Sequence, residues 1–523
     1  MACAGALAGG AALSQASGAL AEEAPKPEEG AQAQSEDTSL VDGASHEADT
    51  TESADIVVVG AGGSGLAAAY EAAQQGKKVI LLEKLGITGG STQFAEGIAA
   101  CDSSVQKAQG IDLSKKDMYD AIISYSHYRA NPEVVSAFVN NSAETIDILS
   151  SVGVNYLTVT AFDPTSIFYT WHLIDGHVAA ACEAVAKAAA DAGADIRLET
   201  PAVELLCEDG KVCGVVAQNP DGTYVKIEAP VVILGTGGYA MNPAMIDEYS
   251  GFSHDDVVPG GSAGNTGDGI KMAIAAGAQT DNIGLLMLWC LVKGKMLDSH
   301  TNTAATQPYL WVSQNGKRFT AETAAMEFPN AGNAVGRQPG CVKYTVFDQD
   351  TYDHMVNEGI EVGTGAYIPT GSTLDKLPDE LAADIAEGEI AWKADTIEEL
   401  AAQMGVDADT LSETVERYNE LCEAGDDEDM FKEPEYLLSV KTAPFYAIKS
   451  QNSFAITING IRIDERMRAL DADGKPVDGL YIVGVDASGL YGDTYSVSVA
   501  GAACGFAWTS GRIAARDAVS YLG

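Results

Sequence analysis

Short hydrophobic runs and helical patterns follow one another in the first folded part of the chain. The run Ile56–Val59 is continuous and β-branched, which predicts a strand buried on both faces. Residues 66–75 are rich in alanine and stop before Gly76, which predicts a helix, and residues 78–83 predict a second strand. Strand, helix and strand in this order form a βαβ unit, so we expect an α/β fold built on a parallel sheet.

The hydrophobic pattern also suggests how the rest of the chain is divided. Helices are predicted from Pro132 to about residue 151 and over residues 176–192, while residues 203–234 have the pattern of short strands joined by Asp-Gly turns. A later stretch is less regular, and strand–turn–helix patterning returns near the end of the chain. We therefore predict a second, less regular domain at 284–455, with flanking parts at 54–283 and 456–523.

The first 53 residues lack the pattern of a folded domain. Residues 1–21 are small and weakly apolar and end in Ala19-Leu20-Ala21, which predicts an export signal of the twin-arginine type, although a basic n-region is missing. The other interpretation is a small-residue tail on a cytoplasmic protein. Residues 22–53 hold ten acidic residues and one lysine with few large apolar side chains, so we expect a disordered acidic linker.

Composition excludes several classes of partner and site. The 523 residues carry 31 basic and 75 acidic side chains, a net charge of −44, which makes nucleic acid and anionic membrane surfaces poor partners. No apolar run reaches the ~18–20 residues of a membrane span. The nine cysteines form no CxxC or CxxCH pair, so we predict no zinc ribbon, covalent haem or other metal site.

A glycine-rich turn follows the first predicted strand. In Gly60-Ala61-Gly62-Gly63-Ser64-Gly65, the first glycine allows a tight turn, Gly62 lets the backbone approach a pyrophosphate, and Gly65 lets the helix pack on the strand. Glu83 lies 18 positions beyond the last glycine, where its carboxylate can accept hydrogen bonds from ribose hydroxyls and would repel the 2′-phosphate of NADP. Together these features predict a dinucleotide site at a helix N-terminus.

Further glycine segments favour FAD over NAD. Gly89-Gly90-Ser91-Thr92 follows the second strand closely, and Val231–Gly238 is a buried strand that runs into a glycine turn. A third strand, Gly479–Asp486, ends in a carboxylate that is placed to hold the ribityl chain of a flavin.

These motifs together resemble the flavoprotein subunit of the fumarate reductase/succinate dehydrogenase family, especially its soluble, exported reductases. The resemblance covers about residues 54–523. Three more segments support it: Asn265–Ala273 is similar to the family's GDG helix start, Asn315–Phe319 to its NGKRF turn, and residues 396–432 to a helix pair of its capping domain.

The resemblance implies a Rossmann-like FAD-binding domain in two parts, 54–283 and 456–523, and an inserted α+β capping domain at 284–455 that closes over the flavin. It also implies hydride transfer from flavin N5 to an activated C=C bond. Covalent members have a histidine after the Gly-Gly-Ser-type loop, where this chain has Gln93 and Phe94, so we expect non-covalent FAD. The predicted cofactor contacts are Gly60, Ala61, Gly62, Gly65, Glu83, Lys84, Gly90, Ser91, Thr92, Val203, Thr236, Gly237, Asp268, Asp486, Gly501 and Ala502.

The substrate site departs from the family pattern. Fumarate reductases hold a dicarboxylate with two arginines and two histidines, and one arginine also protonates the product. Counting from the matching motifs puts these four positions on Met326, Trp289, Ile456 and Tyr495. Because a buried dianion without cationic partners is strongly destabilised, fumarate and succinate are poor candidates. Trp289, Met326 and Ile456 instead predict a wider, apolar pocket for a neutral or monoanionic enone or enoate.

Several side chains are candidates for the chemistry. Tyr495 stands where the family arginine stood, and ketosteroid dehydrogenases of related fold use tyrosines in this region, so it is a candidate proton donor, with Tyr491 as a second; a structural role is the alternative. Arg337 is the nearest arginine after the NGKRF turn and either clamps a carboxylate or lies on the surface. Glu96, in the loop expected to pass along the flavin, either relays a proton or points to solvent.

We therefore expect an FAD-dependent reductase of a non-dicarboxylate C=C bond, working as a respiratory terminal reductase on a small unsaturated substrate. Electrons would come from a separate donor such as a membrane-linked multihaem cytochrome. One alternative is a ketosteroid-type dehydrogenase that introduces a C=C bond. The other is a flavin protein that carries electrons or senses a ligand without turnover.

Overall fold

The structure, a computed structural model, describes residues 46–162 and 168–523. The predicted export signal and most of the predicted linker lie outside these residues. Within them, no helix is both long and apolar enough to cross a membrane.

The described chain contains both strands and helices along its whole length. The strands are β1 (Thr50–Ser53), β2 (Ile56–Val59), β3 (Val79–Leu82), β4 (Gly97–Ala99), β5 (Tyr156–Thr160), β6 (Trp171–Ile174), β7 (Asp195–Arg197), β8 (Ala202–Glu208), β9 (Lys211–Gln218), β10 (Tyr224–Glu228), β11 (Val231–Leu234), β12 (Val258–Pro259), β13 (Leu285–Leu291), β14 (Leu310–Val312), β15 (Val342–Phe347), β16 (Ala391–Ala394), β17 (Phe445–Ile458), β18 (Arg468–Leu470) and β19 (Pro476–Ile482).

The α-helices are α1 (Gly63–Gln74), α2 (Ser104–Ala108), α3 (Lys115–Tyr125), α4 (Pro132–Ser151), α5 (His177–Asp191), α6 (Pro243–Tyr249), α7 (Asp268–Ala275), α8 (His300–Thr306), α9 (Phe328–Val335), α10 (Gln349–Asn357), α11 (Leu377–Glu387), α12 (Ile397–Met404), α13 (Ala408–Ala424) and α14 (Ala502–Leu522). Short 3-10 helices lie at Gly90–Phe94, Glu322–Met326, Pro339–Cys341, Pro434–Tyr436 and Gly484–Asp486.

A six-stranded sheet in the order β18-β19-β11-β2-β3-β7 carries the glycine turn. All of its neighbours are parallel except β18, which runs antiparallel to β19. Its central strands are continuous Val, Ile and Leu runs that are fully buried, as expected for a parallel sheet covered on both faces. The predicted α/β fold and its first βαβ unit are therefore confirmed.

Helix α4 follows the sequence signals closely. The Asn131 side chain accepts hydrogen bonds from the backbone N–H groups of Glu133, at 2.9 Å, and Val134, while Pro132 occupies the first helical position. This cap satisfies donors that have no partner within the helix, so the helix begins where the sequence predicts.

A second six-stranded sheet is organised around the 14-residue strand β17. Alternate residues of β17 point to opposite faces, so Tyr446 and Ile448 enter one hydrophobic cluster, whereas Phe445 and Ala447 enter another. β17 pairs with β15 and β16 through its first half and with β13 through its second half. The predicted domain boundary at 455 falls inside this strand.

The end of the predicted linker is ordered, which corrects that expectation. Residues Thr50–Ser53 form β1, which pairs in parallel with β10 at the edge of a four-stranded sheet. The pairing uses backbone groups, so this polar segment joins the sheet without large apolar side chains. The eight cysteines of the described residues are all free thiols, and Cys207 and Cys213 lie on β8 and β9.

Candidate active site

The glycine turn after β2 lies against the end of β11. Gly60 has φ +97°, and a Cβ at this position would lie 2.4 Å from the carbonyl oxygen of Gly235. A Cβ at Gly65 would lie 1.8 Å from the carbonyl oxygen of Gly60, because α1 starts directly on the strand. A Cβ at Gly62 would have its nearest neighbours 3.9 Å away, which leaves room for a phosphate. The N-terminus of α1, with its partial positive charge, faces this space.

The second glycine loop crosses the start of α1. The N–H of Gly89 donates to Ala61 O at 2.8 Å, and the Thr92 hydroxyl accepts from the N–H of Gly63 at 3.1 Å. Gly90 lies so close to this turn that a Cβ would come within 3.3 Å of the Cα of Gly62. The two loops therefore form one backbone cradle.

Ser91 connects the cradle to the loop that precedes α7. Its hydroxyl accepts from the N–H of Ser262 at 2.9 Å and from Asn265 Nδ2 at 2.7 Å. A Cβ at Gly237 would lie 2.8 Å from Asn265 Oδ1, so Asn265 also touches the glycine turn that follows β11. Asn265 thus connects Ser91 to Gly237, a role that the motif count did not assign to it.

Glu83 and its neighbours lie at the carboxyl end of β3. The Glu83 carboxylate accepts from the N–H groups of Ala61 and Leu85, each at 2.8 Å, which leaves further lone pairs for ribose hydroxyls. The carbonyl of Glu83 accepts from the N–H of Thr200, which brings the buried Val203 on β8 close to this end of the sheet. Lys84 forms an ion pair with Asp268 at 2.7 Å, so these two predicted cofactor contacts meet each other.

Asp486 holds the glycine turn that follows β11. Its carboxylate is fully buried and accepts from the N–H of Gly238 at 2.7 Å and from both the N–H and the hydroxyl of Thr236. Burial raises the pKa of Asp486, while these hydrogen bonds lower it. The carboxylate therefore positions the 236–238 turn, and its contact with the ribityl chain stays a prediction.

The N-terminus of α14 faces the same region. Gly501 has φ +80°, and a Cβ there would lie 2.8 Å from both Ala99 N and Trp171 Cδ1. Ala502 begins a 21-residue helix whose partial positive charge points at the site. The N–H groups of Ala503 and Ala502 lower the pKa of Tyr495, whereas burial, the larger effect, raises it. The Tyr495 hydroxyl therefore lies at the N-terminus of this helix.

Four aromatic rings form a continuous line beside this helix terminus. Centroids lie 6.1 Å apart for Trp289 and Phe328, 5.8 Å for Phe328 and Tyr495, and 5.4 Å for Tyr495 and Tyr491. We call these four residues the ring chain. Phe162 packs against Phe328 at 5.4 Å and extends the aromatic surface.

The structure separates the predicted pocket residues. Trp289 and Tyr495 belong to the ring chain, and Ile456 lies at a bulge of β17 opposite the stretch of β13 between Leu286 and Leu288. Met326 is partly buried and packs against the small hydrophobic cluster that contains Trp311, so its place in the substrate pocket stays a prediction. Phe328, two positions later, belongs to the ring chain.

For Arg337 and Glu96 the sequence left two interpretations each, and the structure favours one of each. Arg337 is exposed beyond the end of α9, where its guanidinium cannot clamp a buried substrate. Glu96 is buried rather than solvated, and its carboxylate accepts from the N–H of Ala366 at 2.8 Å. Burial raises the pKa of Glu96 to about 7. Counting along motifs missed Phe328 and Phe162. The local sequence signal at Phe328 is an aromatic residue followed by Pro329, a residue type favoured at the first turn of a helix.

The arrangement of two glycine loops, a ribose acceptor and a helix terminus fits a flavin dinucleotide. The family model of the FAD binding domain matches residues 55–498. The chain belongs to this FAD-binding family. FAD is its cofactor, and the resemblance to fumarate reductase flavoproteins is confirmed.

Individual relatives of this FAD-binding protein agree. A vinyl phenol reductase of Lactiplantibacillus plantarum is 36% identical over 482 residues, which cover 90% of this chain and 97% of the relative. A urocanate reductase of Eggerthella lenta is 29% identical over 450 residues, covering 84% and 70%. The open conformation of a flavocytochrome c3 fumarate reductase has a TM-score of 0.71 at 26% identity, covering 91% of this chain and 79% of that chain. The FAD-binding protein is an oxidoreductase that acts on CH–CH groups.

Proposed function

We propose that the chain reduces a C=C bond conjugated to an aromatic ring, in a substrate that is not a dicarboxylate. The ring chain is the observation that carries this proposal, because a flat aromatic substrate packs favourably against rings at centroid spacings of ~4.5–7 Å. Arg337, the candidate clamp, lies on the surface. A buried dianion would therefore lack this cationic partner.

The names of two relatives support this class of substrate. Vinyl phenol and urocanate both denote a C=C bond attached to an aromatic ring. The vinyl phenol reductase is matched over 97% of its length, so the similarity extends over both the cofactor side and the ring chain.

The chain's own residues handle the proton. FAD, when bound, supplies a hydride to one carbon of the C=C bond. Tyr495, whose hydroxyl lies at the N-terminus of α14, donates its phenolic proton to the other carbon. Burial raises the pKa of Tyr495, so the hydroxyl is protonated before the transfer. The N–H groups of Ala502 and Ala503 then stabilise the tyrosine oxygen after the proton has left, with the N-terminus of α14 behind them.

We further propose that electrons reach FAD from a separate donor, such as a membrane-linked multihaem cytochrome, outside the cytoplasm. The lack of any CxxCH pair in the sequence and the similarity to a flavocytochrome support a separate donor. Sequencing the N-terminus of the protein from periplasmic or extracellular fractions tests export; a mature chain that starts near Glu22 is expected, and an intact Met1 in the cytoplasm would contradict it.

Anaerobic reoxidation of the reduced protein tests the proposed reaction. The FAD-loaded protein is reduced with methyl viologen and then mixed with a vinyl phenol, cinnamate, fumarate or a bulky neutral enone. Fast reoxidation by the two aryl compounds and slow reoxidation by fumarate are expected.

The other outcomes separate the alternatives. Fast reoxidation by fumarate would mean that a dicarboxylate clamp exists. Flavin reduction by a saturated cyclic ketone, with dyes as oxidants, would favour a ketosteroid-type dehydrogenase. No reaction with any compound would favour a flavin protein without turnover.

A further inference from the structure

Two polar atoms of the ring chain are buried without a partner. Within the described part of the chain, neither Trp289 Nε1 nor the Tyr491 hydroxyl has a hydrogen-bond partner. Buried polar groups in folded proteins are nearly always hydrogen-bonded, so an exception inside a candidate active site points to a ligand atom. The two atoms belong to the two terminal rings of the chain.

The position of Trp289 is fixed by its strand. Trp289 lies on β13 opposite Ser453 of β17, and the Ser453 hydroxyl already donates to Val258 O at 2.8 Å. The side chain across the ladder is therefore engaged elsewhere. The indole N–H is a donor only, so the missing partner is an acceptor such as a ligand oxygen.

Tyr491 is also held in place. Asn459 Nδ2 donates to Tyr491 O at 3.1 Å, and Asn282 Nδ2 donates to the carbonyl of Gly492. A Cβ at Gly492 would lie 2.3 Å from Ser126 O, so this backbone is tightly packed. Its ring neighbours Tyr495, the proton donor of the proposed reaction, which puts Tyr491 at the reacting end of the site.

Trp289 lies at the other end, separated from Tyr495 by Phe328. A substrate whose C=C bond is beside Tyr495 extends its ring along Phe328 and brings a substituent on the far side of that ring towards the indole. We propose that Trp289 determines specificity by donating a hydrogen bond to an oxygen substituent, such as a phenolic hydroxyl, on the aromatic ring. This assignment rests on the proposed function, because it takes the substrate to be an aryl alkene.

Binding of unreactive ligands isolates this contact from the chemistry. The oxidised, FAD-loaded full chain is titrated with 4-ethylphenol and with ethylbenzene, and the flavin absorbance gives both dissociation constants. Trp289→Phe removes the indole N–H and also replaces the indole by a smaller ring. The smaller ring affects both ligands equally, so the ratio of their dissociation constants reports the hydrogen bond alone. We expect the preference for 4-ethylphenol to fall about 5-fold, the effect of one ordinary hydrogen bond.

Matched variants make the test specific. Trp289→His keeps a ring N–H and should retain part of the preference. Trp392→Phe, a partly buried tryptophan on β16, should leave the ratio unchanged. Tyr491→Phe alters the reacting end, which both ligands occupy with the same ethyl group, so it should change the two dissociation constants together and leave their ratio unchanged.

Three results would overturn the assignment. The first is an unchanged ratio of the two dissociation constants in Trp289→Phe. The second is loss of the preference for 4-ethylphenol in Tyr491→Phe rather than in Trp289→Phe. The third is an altered flavin spectrum in unliganded Trp289→Phe with the ratio intact, which would mean that the indole contacts the cofactor. Reduction of cinnamate by the unmodified protein reports the proposed function separately. If the unmodified protein reduces cinnamate but Trp289→Phe leaves the ratio of dissociation constants unchanged, only the role of Trp289 is refuted. If no aryl alkene is reduced, the proposed function itself is refuted.

Discussion

The cofactor side and the substrate side of the site are built by different means. On the cofactor side the positions are set by backbone: Gly60–Gly65 and Gly89–Thr92 approach each other so closely that side chains do not fit at several points. On the substrate side, rings from β13, from α9 and from the segment that precedes α14 meet only through tertiary packing. A backbone site leaves a contiguous motif in the sequence, and a site made of distant side chains does not.

Of the substitutions considered, Gly65→Ala should disrupt the cofactor side most strongly. The new Cβ would lie 1.8 Å from Gly60 O, a backbone atom that cannot move without shifting β2. We expect loss of bound FAD and a fall in the free energy of unfolding of more than about 4 kcal/mol, measured by flavin absorbance and thermal denaturation.

The matched control is Gly251→Ala. No atom lies within 4 Å of a Cβ there, and its φ is ordinary, so the protein should keep its FAD and its melting temperature. If Gly65→Ala behaved like this control, the close contact between helix and strand would be refuted.

Tyr495→Phe tests the substrate side and should leave the cofactor side intact. Removing the proton donor is expected to lower the rate of aryl alkene reduction by about 10²–10⁴-fold. FAD content and the flavin spectrum should stay unchanged, because the hydroxyl is the only group lost. Stopped-flow reoxidation of the reduced variant measures the effect, with Tyr352→Phe in the capping region as the control. A rate within threefold of the unmodified protein would exclude Tyr495 as the donor.

Glu96→Gln probes a contact between the two sides. Glu96 precedes β4, and its partner Ala366 belongs to the predicted capping domain, next to Tyr367, which stacks on His177. Burial raises the pKa of Glu96 from 4.5 to about 7. Between pH 4.5 and about 7, Glu96 is therefore protonated in the folded state and ionised in the unfolded state. The free energy of unfolding consequently falls as the pH rises through this range.

The amide has no such charge to bury and can still accept from the N–H of Ala366. We expect Glu96→Gln to match the unmodified protein near pH 4.5 and to be more stable above pH 7, by up to about 3 kcal/mol. Urea denaturation at both pH values measures the difference. Equal stability at pH 8 would show that Glu96 is not desolvated.

The same contrast explains which predictions from sequence succeeded. The strand Ile56–Val59 and the helix that begins at Pro132 depend on local patterning and a cap, so both were predictable. Phe328 was missed because its place beside Tyr495 depends on how α9 packs, which no local signal encodes. Asp486 was placed correctly at a strand end, but its bonds to the 236–238 turn depend on two strands that are distant in sequence.

Arg337→Ala should have the smallest effect on stability and on the rate of reduction. It tests whether the substrate side binds its substrate without a cationic side chain. The guanidinium is exposed beyond α9, so we expect stability within about 0.5 kcal/mol and an unchanged rate with cinnamate. Cinnamate carries one carboxylate, and a loss of affinity for cinnamate but not for a vinyl phenol would show that Arg337 binds this group. The capping region would then have to bring α9 inward during turnover. Equal behaviour of both substrates would mean that aromatic packing, not charge pairing, selects what is reduced.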